Sequence, residues 1–229
     1  MLYLFKHTNR MGLSSMPLDK HNLFYDLRKD ATEEQLFLAD SIIDYNVVFS
    51  NSEAGTGKTT WATAALYYLY ETKKIDKIYY IVSPVEEDKM GFRPGTQGEK
   101  EADYAHPLHD ALAKIGLQPD KALDAKYGCF EMATHVFLRG RNLERVGIIL
   151  DEAQNYTVSE LKKTITRVHD NCHLVVMGHT GQIDLKNKAK SGFAKAIEHF
   201  GKLENRVRIC PLTKNFRGWI SQHADKLDD

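Results

Sequence analysis

The chain has 229 residues, 42% of them apolar, enough for one sizeable domain with a real core and hardly enough for two. Its 31 acidic and 31 basic residues balance, so any nucleic acid partner must be held by local patches and not by a generally basic surface. No apolar run reaches the length of a membrane span, the N-terminus "MLYLFKHTNRMG" does not read as a secretory signal, and Cys129, Cys172 and Cys210 are odd in number and far apart, which points to a reducing cytoplasm without disulfides or a zinc site. Residues 1–30 lack a sustained period and read as an N-terminal extension to a single domain over 31–229. "ATEEQLFLADSIIDY" then carries apolar residues at helical spacing from Leu36 to Ile43. "NVVFS" (46–50) is a short strand, and Thr60 to Tyr70 reads as a helix. "KIYYIVSP" (77–84) is a buried strand stopped by Pro84. From Glu86 to Lys126 the chain is polar and gives no clear period. "EMATHVFL" (131–138), "VGIIL" (146–150), "CHLVVMG" (172–178) and "RVRICPL" (206–212) are four more strand candidates, and "TVSELKKTITRV" is a helix opened by a Thr157/Glu160 capping box. Strands alternating with helices predict an α/β fold, a mostly parallel sheet with helices on both faces.

Between the first strand and the helix after it lies "SEAGTGKTT" (52–60), most of a phosphate-binding loop. Glycines let such a loop curl until successive backbone N–H groups point inward, so Glu53, Ala54, Gly55, Thr56, Gly57 and Thr60 are expected to cradle phosphate. The helix N-terminus adds its positive dipole end. Lys58 is placed to reach the β- and γ-phosphates, and the Thr59 hydroxyl to bind Mg²⁺. The full pattern has a glycine where this chain has Ser52, a small residue expected to sit there under modest strain. "VGIILDEAQN" supplies the second half of such a site. Its buried strand delivers Asp151 and Glu152 to the carboxyl edge of the sheet, where ligands bind in open α/β folds. Asp151 suits the outer shell of Mg²⁺, and Glu152 suits the base that activates an attacking water.

These stretches resemble the PhoH-like ATPases, relatives of the superfamily-one helicase core. The resemblance rests on "EAGTGKT" (53–59), "GFRPG…EK" (91–100), "FLRGRNLERVGIILDEAQN" (137–155) and "LTKNFR" (212–217), supported by "TITRV" (164–168) and "MGHTGQIDL" (177–185). It implies a RecA-like P-loop fold, ATP hydrolysis with Mg²⁺, a link to single-stranded RNA or DNA, and a ring-shaped oligomer, a hexamer first, in a bacterial or host cytoplasm. It also implies roles for single residues. Gln182 is similar to a sensor that reaches the γ-phosphate or its water, and Gln35 to a glutamine that reads adenine, although Thr32 and Gln35 equally fit a capping box. Arg217 is similar to a late arginine that stabilises the transition state. In a ring it is the first choice to reach a neighbour's site, with Arg139 and Arg141 of "RGR" in reserve. His179 stands where the family usually has an aspartate that helps hold the metal's water shell.

Two other activities fit the same loop. A small nucleoside or nucleotide kinase also uses it, but the "DEAQ" pattern points to water as the acceptor. A slow nucleotide-gated assembly protein would fit His179. Lys162, Lys163 and Arg167, with "KNKAKSGFAK", are the local basic stretches open to nucleic acid.

Overall fold

The computed structural model describes residues 23–82, 105–134, 138, 142–203 and 205–224. Their frame is a six-stranded sheet of β1 (Val47–Asn51), β2 (Lys77–Val82), β3 (Phe130–Thr134), β4 (Val146–Leu150), β5 (His173–Gly178) and β6 (Val207–Ile209). The order across the sheet is β3-β2-β4-β5-β1-β6, and every pairing is parallel. Parallel strands need crossovers, which cover both faces, so their residues are apolar almost without alternation. β4 shows this in the extreme, with all five residues buried.

The pleat still sorts side chains between two cores. Val48, Ile149, Val175 and Met177 pack on one face under α2 (Glu33–Asp44), α3 (Lys58–Glu71) and α4 (His106–Lys114). Phe49, Ile148, Leu150 and Val176 pack on the other with Tyr156, Leu161 of α6 (Val158–Ile165) and Phe193 of α7 (Phe193–Phe200). Gly147 lets α3 lie close on the sheet: a Cβ there would meet Leu66 and Ile75 at 2.9 Å. This is the α/β, RecA-like P-loop arrangement the sequence predicts.

The remaining elements are α1 (Leu23–Lys29), α5 (Pro119–Ala122) and α8 (Trp219–Ala224). α1 lies inside the stretch expected to be an extension; its Leu27 packs on the core, and Arg28 grips Asp40 of α2 with two bonds of 2.6 and 3.1 Å. α4 and α5 occupy part of the stretch that gave no period, and α4 buries Leu108, Ala111 and Leu112. Both capping boxes are present, Thr32 with Gln35 and Thr157 with Glu160. β6 is shorter than its apolar run: Cys210 still donates to Phe49 O at 2.8 Å, and Pro211 then has no N–H to offer. Of the "EMATHVFL" run, residues 135–137 lie outside the described residues, as do Arg139, Arg141 and residues 91–100.

Candidate nucleotide site

Because all strands run the same way, the loops after β1 and β4 open on one edge of the sheet. The loop after β1 turns at Gly55 (φ 80°) and Gly57 (φ 90°), backbone that side chains rarely adopt. Gly57 leads into α3, whose first residues are Lys58, Thr59 and Thr60. The loop is braced from within: Thr56 Oγ1 donates to Glu53 O at 3.0 Å, and the buried Gln35 Nε2 donates to Thr56 O at 3.2 Å. Lys58 Nζ folds over it, donating to the Ser52 and Glu53 carbonyls, both at 2.7 Å. Burial pushes the Lys58 pKa down, opposed by the charges of Asp151 and Glu152.

Ser52 corrects the expectation of strain. Its φ is not positive; among the described non-glycine residues only Lys73, Arg145 and Glu152 have a positive φ. Its hydroxyl is buried, accepts the Leu212 N–H at 2.7 Å and lies 3.1 Å from Ser50 Oγ, while its own N–H donates to Gly178 O at 3.0 Å. The serine is a tie between β1, β5 and the segment after β6.

Asp151 and Glu152 leave β4 toward this loop. Asp151 Oδ2 accepts the Thr59 hydroxyl at 3.0 Å and the Tyr80 hydroxyl at 2.9 Å, and Oδ1 accepts the Glu152 N–H at 2.9 Å. Glu152 adopts the left-handed region (φ 50°, ψ 41°), a strained conformation of the kind that collects at functional sites. Burial, then the neighbouring Asp151, pushes its pKa up. Its Oε2 accepts Gln154 Nε2 at 2.5 Å, and Gln154 Oε1 accepts the His179 N–H at 3.0 Å. Gln154 thus links the end of β4 to the end of β5, a role that no pattern in the chain signals. Gly178 is what admits it, since a Cβ there would collide with Gln154 Oε1.

The cleft holds about 410 Å³. Its lining includes Ala54, Gly55, Gly57, Lys58, Thr59 and Thr60 of the loop and α3, with Asp151 and Glu152. Gln35, Trp61 and four residues of α4, Pro107, Asp110, Ala111 and Lys114, form another wall. Phe216 and Arg217 complete it. Phe216 N–H donates to Gly55 O at 2.9 Å, and a Cβ on Gly55 would meet Arg217 Cγ at 2.7 Å. The arginine stem therefore lies over the loop of its own chain. Phe216 and the α4 wall were missed, the first because one aromatic in a loop carries no pattern and the second because its helix was not legible.

Several expected residues lie off the cleft wall. Glu53 is exposed, and Thr56 is buried with its hydroxyl turned inward. Gln182 sits in an exposed turn, its N–H donating to His179 O at 3.1 Å. His179 meets the site through its backbone amide, while its buried Nδ1 has no hydrogen-bond partner among the described residues. Gln35 is a capping residue: its Oε1 accepts the Thr32 N–H at 3.1 Å, which leaves the amide one free lone pair and one free N–H at the cleft.

The oxygens of Thr59 and Asp151 suit a hard cation. Mg²⁺ keeps several waters and leans on one or two protein oxygens plus substrate phosphates, which is what these two residues beside a phosphate loop offer.

The family model described as PhoH-like protein matches residues 29–221. The chain is 36% identical over 186 residues to a PhoH-like protein of Mycobacterium tuberculosis H37Rv, covering 80% of this chain and 52% of that one. To protein PhoH of Escherichia coli K12 it is 34% identical over 172 residues, covering 73% and 48%. It thus spans about half the length of the curated relatives it matches. Among solved structures it is similar to the large terminase of a thermophilic bacteriophage, at 14% identity and a TM-score of 0.48 over 80% of this chain and 44% of that one, a likeness too loose to bear on function.

Proposed function

The chain belongs to the family of PhoH-like proteins, and we propose that it hydrolyses ATP with Mg²⁺ and couples that to remodelling of single-stranded nucleic acid, RNA first. The contact between Thr59 and Asp151 carries this reading: residues 92 apart in sequence join a phosphate loop to an acidic strand end. Backbone N–H groups of the loop and the first turn of α3 bind the phosphates, and Lys58 turns from the Ser52 and Glu53 carbonyls to the β- and γ-oxygens. Thr59 and Asp151 would hold Mg²⁺, which would supply charge neutralisation for the phosphates.

Glu152 accepts a proton from water as the water oxygen bonds to the γ-phosphorus and the bond to the ADP oxygen breaks. Its raised pKa suits a base that must work near neutrality. Gln154 fixes the carboxylate from behind. Arg217 stabilises the charge of the transferring phosphoryl group from within the same chain. Phe216 offers a ring face to the base.

The nucleic acid is assigned to exposed lysines near the same sheet edge. Lys186, Lys188 and Lys190 follow β5, and a bridge between Thr157 and Ser191 sets them beside α6 with its exposed Lys162 and Lys163. A ring of copies would bring such sites together, and Trp219 and Ile220 of α8, 71% and 68% exposed, offer apolar contact area for it. Among the described residues no helix is long and apolar enough to cross a membrane. The test is the rate of phosphate release with and without single-stranded RNA and DNA. Stimulation by RNA supports the reading, flat rates remove the coupling, and phosphate carried to a small acceptor would make the protein a kinase.

A further inference from the structure

Tyr80 lies on β2, whose neighbour is β4 with Tyr80 opposite Ile149. Asp151 is two residues beyond Ile149, on the same face and one diagonal step away, within reach of a long side chain. The Tyr80 ring is 4% exposed and packed in the core under α3, and its hydroxyl donates to Asp151 Oδ2 at 2.9 Å. Thr59 Oγ1 donates to that same oxygen at 3.0 Å. An apolar ring would fill this place equally well, and a buried hydroxyl is unfavourable unless bonded.

We propose that Tyr80 is a positioning residue for the cation site, holding the Asp151 carboxylate in the orientation that receives a hydrated divalent metal. The two hydroxyls differ in what a bound cation asks of them. Thr59 must present its oxygen lone pair to the metal. Tyr80 donates to the carboxylate from β2, a different element from the phosphate loop. With the Glu152 N–H on Oδ1, the phenol keeps both oxygens fixed from the protein side. The lone pairs left on the carboxylate would be available to the metal's waters. Groups that orient a metal-binding carboxylate in this way commonly change metal affinity by about 10- to 100-fold when removed.

The inference rests on the nucleotide-binding reading above. A fluorescent ATP analogue at fixed concentration is bound to wild type and to Tyr80→Phe, first in EDTA and then through a Mg²⁺ titration. In EDTA the two proteins should bind alike, which also shows that the variant is folded. In the titration the variant's half-saturating Mg²⁺ should rise about tenfold or more. The same substitution in an Asp151→Asn background should add nothing, because the phenol acts through that carboxylate. An unchanged half-saturation overturns the inference. So does equal weakening with and without metal, which is a packing effect, or a shift that persists beside Asp151→Asn. A wild-type chain that fails to bind the analogue even in Mg²⁺ removes the nucleotide reading itself, and the inference with it.

Discussion

Glu152 is an exposed residue whose carboxyl lies partly desolvated beside a buried carboxylate, and both facts raise its pKa. When the folded state raises a carboxyl pKa, it binds more protons than the unfolded chain between the two pKa values, so this group's contribution to stability falls as pH rises through that window. At neutral pH the ionised group therefore opposes folding. Glu152→Gln should bind ATP normally and lose about 10²- to 10⁴-fold in turnover, and because solvent screens this exposed residue it should melt only slightly higher than wild type at pH 7, a difference that vanishes toward pH 4. Single-turnover rates and thermal scans at both pH values measure this, and normal turnover would remove the base assignment. Ser52 is the opposite case. Its position in the loop was legible, but its partner was not, because Leu212 lies 160 residues away. The loop pattern alone predicts that Ser52→Gly is harmless or mildly activating. With a buried Leu212 N–H left unpaired, the same change should lower unfolding stability by about 1–3 kcal/mol in a denaturant titration.

At the scale of elements, legibility followed the length of the contacts that make each one. β4 was read to the residue, since five apolar residues between Arg145 and Asp151 leave no other solution for a central strand. The capping boxes of α2 and α6 were read because both partners lie within one turn. α4 was not read: its Leu108, Ala111, Leu112 and Ile115 have helical spacing, but only nine residues form the helix, and polar neighbours on both sides hide the period. The link between β4 and β5 was equally invisible, because it is one glutamine side chain held against a glycine. Gly178→Ala tests it. The new methyl must displace Gln154 Oε1, which frees both Glu152 and the His179 amide. A carboxylate base shifted by about 1 Å can lose on the order of a hundredfold in rate, so turnover should fall by that factor while ATP affinity holds. Equal loss of affinity would mean that the substitution disturbs the phosphate loop instead, through the Gly178 O to Ser52 N–H bond.

At the scale of the molecule, the sequence reading sends Arg217 of a ring into a neighbour's site. A lone domain with an arginine near its end is compatible with a neighbour's finger or with its own. The structure ties the segment from Leu212 to Arg217 to its own loop at both ends, through the Leu212 N–H on Ser52 and the Phe216 N–H on Gly55. The Arg217 stem lies against Gly55 of that same loop. Arg217→Ala should therefore lose about a thousandfold in ATP hydrolysis, and adding Lys58→Ala subunits, which keep the arginine but cannot hold phosphate, should restore nothing even where native mass spectrometry shows subunit exchange. Partial recovery in that mixture would place the arginine in trans. If the chemistry is complete within one chain, a ring serves the nucleic acid and not the phosphate. Diluting the protein should then leave its basal hydrolysis per chain constant while stimulation by single-stranded RNA declines with ring dissociation. Basal hydrolysis that falls in step with the ring would show that the active site is shared after all.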